Sequence, residues 1–185
     1  MSLMEKTGTP VGSYAPDFEL PGIDDKVHHL SSYLRQWSVV AVVFISNQCP
    51  YSCFYIDRLK QIQTQFCKQG FILVAINAMD ANQHPAESFQ NMKKFALERQ
   101  LNFPYLWDPT QDVARSFGAQ KTPEAFLIDD LGILRYSGQI DDSLHQDAEA
   151  RQITFLQNAI AALLAEEEVV PKSTEAIGCP IQWRH

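Results

Sequence analysis

The sequence is short of positive charge, and its lysines and arginines form no basic run. They number 15 against 22 aspartates and glutamates, so the formal net charge of the 185 residues is −7. Nucleic acids and anionic membrane surfaces attract clustered positive charge, and we therefore expect neither of them as a partner. A glycine-rich phosphate-binding loop is also missing, and we expect no cofactor.

Long hydrophobic runs are missing as well. The longest, residues 39–45, is far shorter than the roughly 20 apolar residues that a helix needs to cross a bilayer. The first 16 residues contain no apolar stretch like that of a signal peptide. From both observations we expect a cytoplasmic protein. The length of the chain suits one domain with a full hydrophobic core.

Cysteine is scarce, with four residues at positions 49, 53, 67 and 179. Four cysteines are too few for a disulfide scaffold in a chain of this size. In a reducing cytosol we expect them to be free, catalytic or metal-binding. The five histidines are scattered and none stands at metal-ligand spacing from a cysteine, so we expect no metal site.

The hydrophobic pattern predicts strands that alternate with helices. Residues 38–45 and 71–77 are apolar throughout, which is typical of strands buried on both faces. Between them, apolar residues at spacings of three and four predict a helix that ends at Gly70. The other predicted elements are a hairpin over 17–30, a helical turn at 31–34 capped by a serine, a helix over 87–100, a strand over 104–107, a helix over 111–117, a hairpin over 125–137 and a helix over 152–168.

This order predicts an α/β fold with a mixed central sheet and helices on both faces, because the alternating strands and helices close in an antiparallel hairpin. We expect residues 1–168 to form one domain. Residues 169–185 are expected to be a tail that packs on it, since a disordered end seldom carries apolar residues such as Ile177, Ile181 and Trp183.

Residues 45–54, ISNQCPYSCF, carry the clearest chemical signal. They follow a predicted buried strand and begin a helix, because Pro50 lacks an N–H and fits the first turn. If Asn47 caps the helix, Cys49 lies in its first turn; if Cys49 is the cap, Pro50 is the first helical residue. Either placement favours a thiolate at Cys49 through the unpaired N–H groups and the helix dipole.

Cys53 lies one turn beyond Cys49 on the same face of this helix. Helical neighbours four apart have Cβ atoms about 5–6 Å apart, and a disulfide needs about 3.5–4.5 Å. A bond between the two cysteines would therefore require the first turn to open. The alternative is that both are small core residues. We take Cys67, 14 residues beyond Cys53 and so about four turns further along the predicted helix, as structural.

A second signal is Thr122-Pro123 immediately before the predicted strand that starts at Ala125. A proline at a strand entrance is ordinarily trans. A cis bond at this place would be a purposeful feature of a site. The residues by themselves leave both isomers open.

Taken together, these segments resemble the thioredoxin superfamily, specifically its peroxiredoxin-like branch of AhpC/TSA-type redoxins. The resemblance covers nearly the whole chain and implies a thioredoxin-like three-layer α/β/α fold with an N-terminal β-hairpin. The segments that carry it are residues 46–51, 74–77, 102–106, 108–114, 122–124, 136–142 and the tail 177–183.

The resemblance implies roles for single residues. In thioredoxins the motif is Cys-x-x-Cys, whereas here Ser46 holds the first position and Cys49 the second. Peroxiredoxins have Thr or Ser in the first position and a peroxide-attacking cysteine in the second, as here. However, this chain has Val42 where peroxiredoxins have a proline, and Pro123 where they have an arginine. Pro123 instead matches the cis-proline of thioredoxins, which faces the active cysteine.

The resemblance and the residues together predict a thiol–disulfide oxidoreductase with Cys49 as nucleophile and Cys53 or Cys179 as the resolving thiol. Ser46 is a further catalytic candidate, and Pro50, Thr122 and Pro123 are expected to contact the substrate. The expected substrate is a protein or small-molecule disulfide, with thioredoxin or glutathione as electron donor.

Two alternatives stay open at this point. The first is a peroxiredoxin-like thiol peroxidase with an antioxidant role, in which Cys49 passes through a sulfenic acid. Peroxide reduction needs a cation or donor for the developing negative charge, and the arginine that would supply it is replaced by Pro123. The second is a non-catalytic binding module that has kept the thioredoxin fold.

Overall fold

The computed structural model describes residues 8–144 and 152–184. A five-stranded mixed sheet lies at its centre, and two smaller two-stranded sheets lie beside it. In chain order the strands and helices are β1 Glu19–Pro21, β2 Val27–His29, α1 Leu30–Gln36, β3 Val39–Phe44, α2 Pro50–Phe66, β4 Phe71–Asn77, α3 Phe89–Arg99, β5 Tyr105–Trp107, α4 Asp112–Phe117, β6 Lys121–Thr122, β7 Glu124–Ile128, β8 Leu134–Gly138, α5 Phe155–Leu164 and β9 Cys179–Pro180.

The central sheet has the strand order β5-β4-β3-β7-β8. Strand β3 pairs in parallel with β4 and antiparallel with β7, and every residue of β3 and β4 is buried. Burial on both faces explains why these two strands are apolar without alternation. The hairpin of β7 and β8 closes the sheet. The predicted mixed sheet is therefore confirmed.

Helices cover both faces of the sheet. Alternate residues of β3, such as Val39 and Val43, face one core together with the apolar sides of α2, α3 and α5. The residues between them, such as Val40 and Val42, face a second core with α1, α4 and the β1–β2 hairpin. This is the three-layer α/β/α arrangement that the resemblance implies, with its N-terminal hairpin in place.

Two predicted boundaries are wrong. Helix α1 begins directly after the extended residue His29, whose side chain makes no capping hydrogen bond, so a serine does not cap it. Helix α5 is shorter than the predicted helix over 152–168. Before it, Ile153 and Asp142 exchange backbone and side-chain hydrogen bonds that hold this segment outside the helix. After it, Glu166 has a positive φ of 57° and ends the helical path.

The tail returns to the domain along two strands. Its residue Thr174 receives a hydrogen bond on its side chain from the backbone of Gln139, and its backbone N–H donates to Ser137 in β8. Further on, β9 pairs antiparallel with β6, and Ile181 is buried in the second core. The division into a domain at 1–168 and a tail at 169–185 stays a prediction. Over the ranges that the structure describes, no helix combines the length and the apolar character needed to span a bilayer.

Candidate active site

Cys49 lies where β3 gives way to α2, at the carboxyl end of a central strand. It is the N-cap residue of α2, and Pro50 is the first residue of the helix. Of the two placements that the sequence allows, the structure shows the one with Cys49 as the cap. The thiol of a residue at this point lies beside the free N–H groups and the positive end of the helix dipole. Cys49 itself is only 4% exposed.

Cys49 forms a disulfide with Cys179 of the tail. Two features bring the sulfurs together: α2 begins beside β6, and β9 pairs with β6 so that Cys179 stands opposite Thr122. The Cys49 Sγ also lies 3.2 Å from the carbonyl oxygen of Thr122. The Thr122–Pro123 peptide bond is cis. The structure thus brings four of the predicted site residues, Cys49, Cys179, Thr122 and Pro123, to one place.

Gly178 permits this close approach of the tail. A Cβ atom built on Gly178 would overlap the carbonyl group of Thr122 and approach Pro123 N to 3.2 Å. Only a glycine lets β9 lie this close to the backbone beside the cis bond. Gly178 therefore helps to position the Sγ atom of Cys179 beside Cys49.

Cys53 does not share in the disulfide. It is a free, partly buried cysteine whose Sγ lies 3.3 Å from the carbonyl oxygen of Asn47. The first turn of α2 is closed, because the Cys53 N–H donates to the carbonyl oxygen of Cys49 at 2.9 Å. The spacing argument against a bond between Cys49 and Cys53 agrees with this geometry. Cys67, in the turn that follows α2, is also free.

Ser46 holds the loop before Cys49 by its hydroxyl group. Its Oγ accepts the N–H of Cys49 at 3.1 Å and donates to the carboxylate of Glu87 at 2.5 Å. The backbone N–H of Ser46 donates to Ser52 Oγ of α2. Ser46 is 1% exposed, and its hydroxyl group is hydrogen-bonded to Glu87 and to backbone N–H groups and not to either sulfur of the disulfide. Ser46 therefore anchors the loop that precedes Cys49, by joining the Cys49 N–H to the carboxylate of Glu87.

Glu87 is a buried carboxylate at the centre of this loop. Besides the Ser46 hydroxyl, it accepts hydrogen bonds from the N–H groups of Asn47 and Gln48 and from the side-chain amide of Asn77. Four donors for one carboxylate explain how the charge is tolerated at 1% exposure. Glu87 thus provides hydrogen-bond acceptors for the N–H groups of Asn47 and Gln48, which directly precede α2 and its cap.

Tyr105 extends the network from β5. Its hydroxyl donates to Asn47 Oδ1 at 2.7 Å and accepts from Asn77 Nδ2 at 3.0 Å. Burial raises the pKa of Tyr105 well above its usual range, and the nearby charge of Glu87 raises this pKa further. Tyr105 therefore acts as a neutral hydrogen-bond donor that fixes the side chain of Asn47.

Sequence reasoning missed Glu87, Asn77 and Tyr105. Glu87 appeared only as the first residue of a predicted helix, and the other two lay inside predicted strands. A polar residue at the end of the apolar run 71–77 was the one available signal, since a buried strand seldom ends in an asparagine without a partner. Among the residues described, no three His, Cys, Asp or Glu side chains are grouped to hold a metal ion. His145 and His185 lie outside those residues.

The fold and the site define a class: proteins with a thioredoxin-like fold that carry a cysteine at the start of the helix after the first central strand. The AhpC/TSA family model matches residues 11–137. The chain therefore belongs to the AhpC/TSA family.

Similar proteins agree with this class. The thiol-disulfide oxidoreductase ResA of Geobacillus thermodenitrificans is 30% identical over 128 residues, which cover 69% of this chain and 68% of ResA. An uncharacterised conserved protein from Geobacillus kaustophilus is 35% identical, with a TM-score of 0.88 over 95% of this chain and 93% of its own. A protein from Chlorobium tepidum, whose crystal structure is described as that of a thiol:disulfide interchange protein DsbE, is 29% identical. Its TM-score is 0.61 over 70% of this chain and 85% of its own.

Proposed function

We propose that this protein is a thiol–disulfide oxidoreductase in which Cys49 is the nucleophile and Cys179 the resolving thiol. The observation that carries the proposal is the disulfide between these residues beside the cis Thr122–Pro123 bond. A pair of cysteines that can form and break such a bond stores and releases two electrons. The bond between Cys49 and Cys179 supports Cys179 as the resolving thiol, and Cys53 is a free cysteine in the described part of the chain.

The proposed cycle has two exchange steps. The Cys49 thiolate attacks one sulfur of a substrate disulfide, which forms a mixed disulfide and releases the other substrate sulfur as a thiolate. The Cys179 thiolate then attacks Cys49 Sγ. This step breaks the mixed disulfide, releases the second substrate thiolate and leaves the Cys49–Cys179 bond. Protons from water neutralise the released thiolates. Two thiol groups of an external donor then reduce the Cys49–Cys179 bond, which restores both cysteines and leaves the donor as its disulfide.

The residues around Cys49 support its role as nucleophile. The N-terminus of α2 stabilises a thiolate at residue 49, because its first N–H groups have no helical partner. In the described residues no side chain caps this helix by a hydrogen bond. In the reduced protein the Thr122 carbonyl oxygen, 3.2 Å from Cys49 Sγ, can accept a hydrogen bond from the Cys49 thiol and so orient it. Pro50 sets the start of the helix.

The comparisons support the same reaction class, because a ResA protein and a DsbE protein are described as thiol–disulfide exchange proteins. We propose a protein or small-molecule disulfide as substrate, with Thr122 and Pro123 shaping the place where it binds. Thioredoxin or glutathione is the proposed electron donor, and the cytoplasm is the proposed location.

A thiol peroxidase is the second candidate, and membership of the AhpC/TSA family favours it. In that cycle peroxide would oxidise Cys49 to a sulfenic acid, and Cys179 would displace water to give the same disulfide. The residues around Cys49 favour the oxidoreductase over the peroxidase. In the described part of the chain the polar neighbours of Cys49 are Ser46 and Thr122 and not an arginine, and Arg58 of α2 is paired with Asp141.

One experiment separates the candidates. The reduced protein and its Cys49→Ser, Cys179→Ser and Cys67→Ser variants are given either a peptide disulfide or hydrogen peroxide, and the consumption of each is followed. We expect rapid peptide reduction by the parent and the Cys67→Ser control. Cys49→Ser should be inactive, and Cys179→Ser should accumulate a mixed disulfide at Cys49 that mass spectrometry detects.

The opposite results are equally clear. Fast consumption of peroxide with slow peptide reduction would establish the peroxidase. If Cys49→Ser equals the parent on both substrates, the protein is a non-catalytic module. A disulfide between Cys49 and Cys53 in the oxidised protein would show that Cys53 is the resolving thiol.

A further inference from the structure

A cavity of about 460 Å³ opens at the amino end of β3, whereas Cys49 lies beyond the carboxyl end of the same strand. The six residues of β3 separate the two places by roughly 20 Å. The volume of the cavity is within the range of about 300–1,000 Å³ that is usual for small-molecule sites. The cavity is therefore a candidate binding site that the thiol chemistry does not use.

The lining of this cavity is partly apolar and partly acidic. Its apolar residues come from β3, α5 and the segments before β1 and after α5: Val11, Val39, Leu163, Leu164 and Val169. Its carboxylates come from the connection between β7 and β8 and from the segment after α5: Asp129, Asp130, Glu166, Glu167 and Glu168. Such a lining suits a ligand that combines an apolar body with positive charge.

The two cations of the lining are already paired. Arg135 donates to Asp129 at 2.7 Å, and Lys172 lies 3.5 Å from the carboxylate of Glu168. The other three carboxylates form no ion pair within residues 8–144 and 152–184: Asp130, Glu166 and Glu167. The cavity thus carries three negative charges that its own residues leave without a counter-charge.

Two of these charges lie where a helix end disfavours them. Helix α5 ends at Leu164, and Glu166 and Glu167 directly follow its cap, Ala165. The carboxyl end of a helix is the negative end of its dipole and favours cations, yet no basic residue lies in the last turn of α5. Glu166 also has a positive φ of 57°, a conformation in which helices usually place a glycine. A bound cation would offset the electrostatic cost, and departures of this kind concentrate at functional sites.

The carboxylates are too dispersed for a single metal ion. Among the described residues no three His, Cys, Asp or Glu side chains are grouped to hold one. A single ammonium group would likewise leave part of the negative charge unpaired. A ligand that meets carboxylates from both the β7–β8 connection and the end of α5 needs at least two positive groups, joined by an apolar chain.

We propose that this cavity binds an aliphatic di- or polyamine. The ammonium group at one end pairs with Asp130, and the group at the other end pairs with Glu166 or Glu167. The methylene chain between them lies against the apolar lining. Binding needs neither sulfur of the disulfide, so this site and the proposed redox function can fail separately.

Isothermal titration calorimetry of the full-length protein with hexamethylenediamine tests the inference. At low salt we expect saturable binding, and hexylamine, which has one positive group, should bind about tenfold more weakly. Hexanediol, a neutral molecule with the same chain, should not bind. Calcium chloride should weaken the binding of the diamine no more than sodium chloride of the same ionic strength, which acts by screening.

A double variant shows whether the acidic lining carries the binding. Glu166→Gln/Glu167→Gln should bind hexamethylenediamine about tenfold more weakly than the parent. Without ligand it should unfold at the same or a higher urea concentration, because two charges that the helix end disfavours are gone. Glu19→Gln/Glu98→Gln removes two exposed carboxylates outside the cavity, and its affinity should stay within about twofold of the parent.

Several results would overturn the inference. Binding of hexylamine or hexanediol as tight as that of the diamine would show that the paired positive groups are not recognised. An unchanged affinity in Glu166→Gln/Glu167→Gln, equal weakening in the two double variants, or no saturable binding by the parent would each exclude this cavity as the site. None of these results bears on the Cys49–Cys179 pair.

Discussion

Glu87 is a charged residue that lies almost completely buried, next to the loop that leads into Cys49. Its carboxylate is buried and satisfies four donors, three of which belong to the loop at residues 46–48. A carboxylate accepts hydrogen bonds on both oxygens, whereas a glutamine amide must turn an NH₂ group toward one set of these donors. The conformation of the loop that leads into Cys49 therefore depends on a charge that lies about forty residues further along the chain.

At this scale we predict the effect of Glu87→Gln. The free energy of unfolding should fall by about 2–3 kcal/mol, because a charged acceptor is lost and buried N–H groups are left facing an amide NH₂. Urea unfolding followed by circular dichroism measures the change. Glu98→Gln, on the exposed side of α3, is the matched control and should change the value by less than about 0.5 kcal/mol. An equal effect of the two substitutions would show that the network contributes nothing.

At the scale of elements, the pairing of β9 with β6 decides which cysteines meet. These two strands contain two residues each, and the register sets Cys179 opposite Thr122. Because this pairing is so short, residues on either side of β9 hold the strand in place. Ile181 after it is buried, and Thr174 before it is hydrogen-bonded to β8. Gly178 lets the two backbones approach, since any side chain there would overlap Thr122.

We therefore predict that Gly178→Ala weakens the disulfide. Overpacking of this kind costs about 1–3 kcal/mol, and about 1.4 kcal/mol corresponds to a tenfold change in an equilibrium constant. The equilibrium between the Cys49–Cys179 bond and glutathione should shift toward the dithiol by about tenfold or more. Redox titration with mass analysis measures it. Pro180→Ala, in the same strand but exposed, should shift it less than about twofold; a Gly178→Ala titration that matches the parent would contradict the role of β9.

At the scale of the molecule, the disulfide closes most of the chain into one loop. Its cysteines are separated by 130 positions in the sequence. Closing a loop of this size lowers the conformational entropy of the unfolded chain far more than that of the folded one. The redox state of the site is therefore coupled to the stability of the whole fold.

The oxidised protein should be more stable than the reduced protein by about 3–5 kcal/mol. Urea unfolding with and without a reductant measures this difference. Cys49→Ser, which cannot form the bond, should unfold at the same urea concentration under both conditions and close to that of the reduced parent. Identical midpoints for the oxidised and reduced parent would show that the bond does not constrain the unfolded chain.

Most elements of the fold could be predicted from local patterns. The apolar runs at 39–45 and 71–77 predicted the two central strands, and the spacing of three and four predicted α2. The helix ends at Phe66, earlier than predicted, and a 3-10 turn leads from it to Gly70. Such patterns are sufficient because burial on both faces, or on one helical face, imposes its period on the sequence. The start of α5 was missed because the pairing of Ile153 with Asp142, a tertiary contact and not a local pattern, determines it.

The site was only partly predictable. Pro50 located the start of α2 and made Cys49 the leading candidate, because proline has few other places in a helix. The cis isomer at Pro123 followed from a resemblance and not from the residues themselves. Glu87 and Tyr105 could not be found, since each becomes part of the site only by contacts across the sheet.

The sequence by itself determined the layers of the fold and the place of Cys49, because both depend on near neighbours in the chain: apolar period, helix start and proline geometry. Only the tertiary structure decided that Cys179 is its partner and that Cys53 is left free. A disulfide requires two sulfurs within about 2 Å of each other. For residues 130 positions apart, that closeness is set by strand pairing and by a glycine that makes room for it.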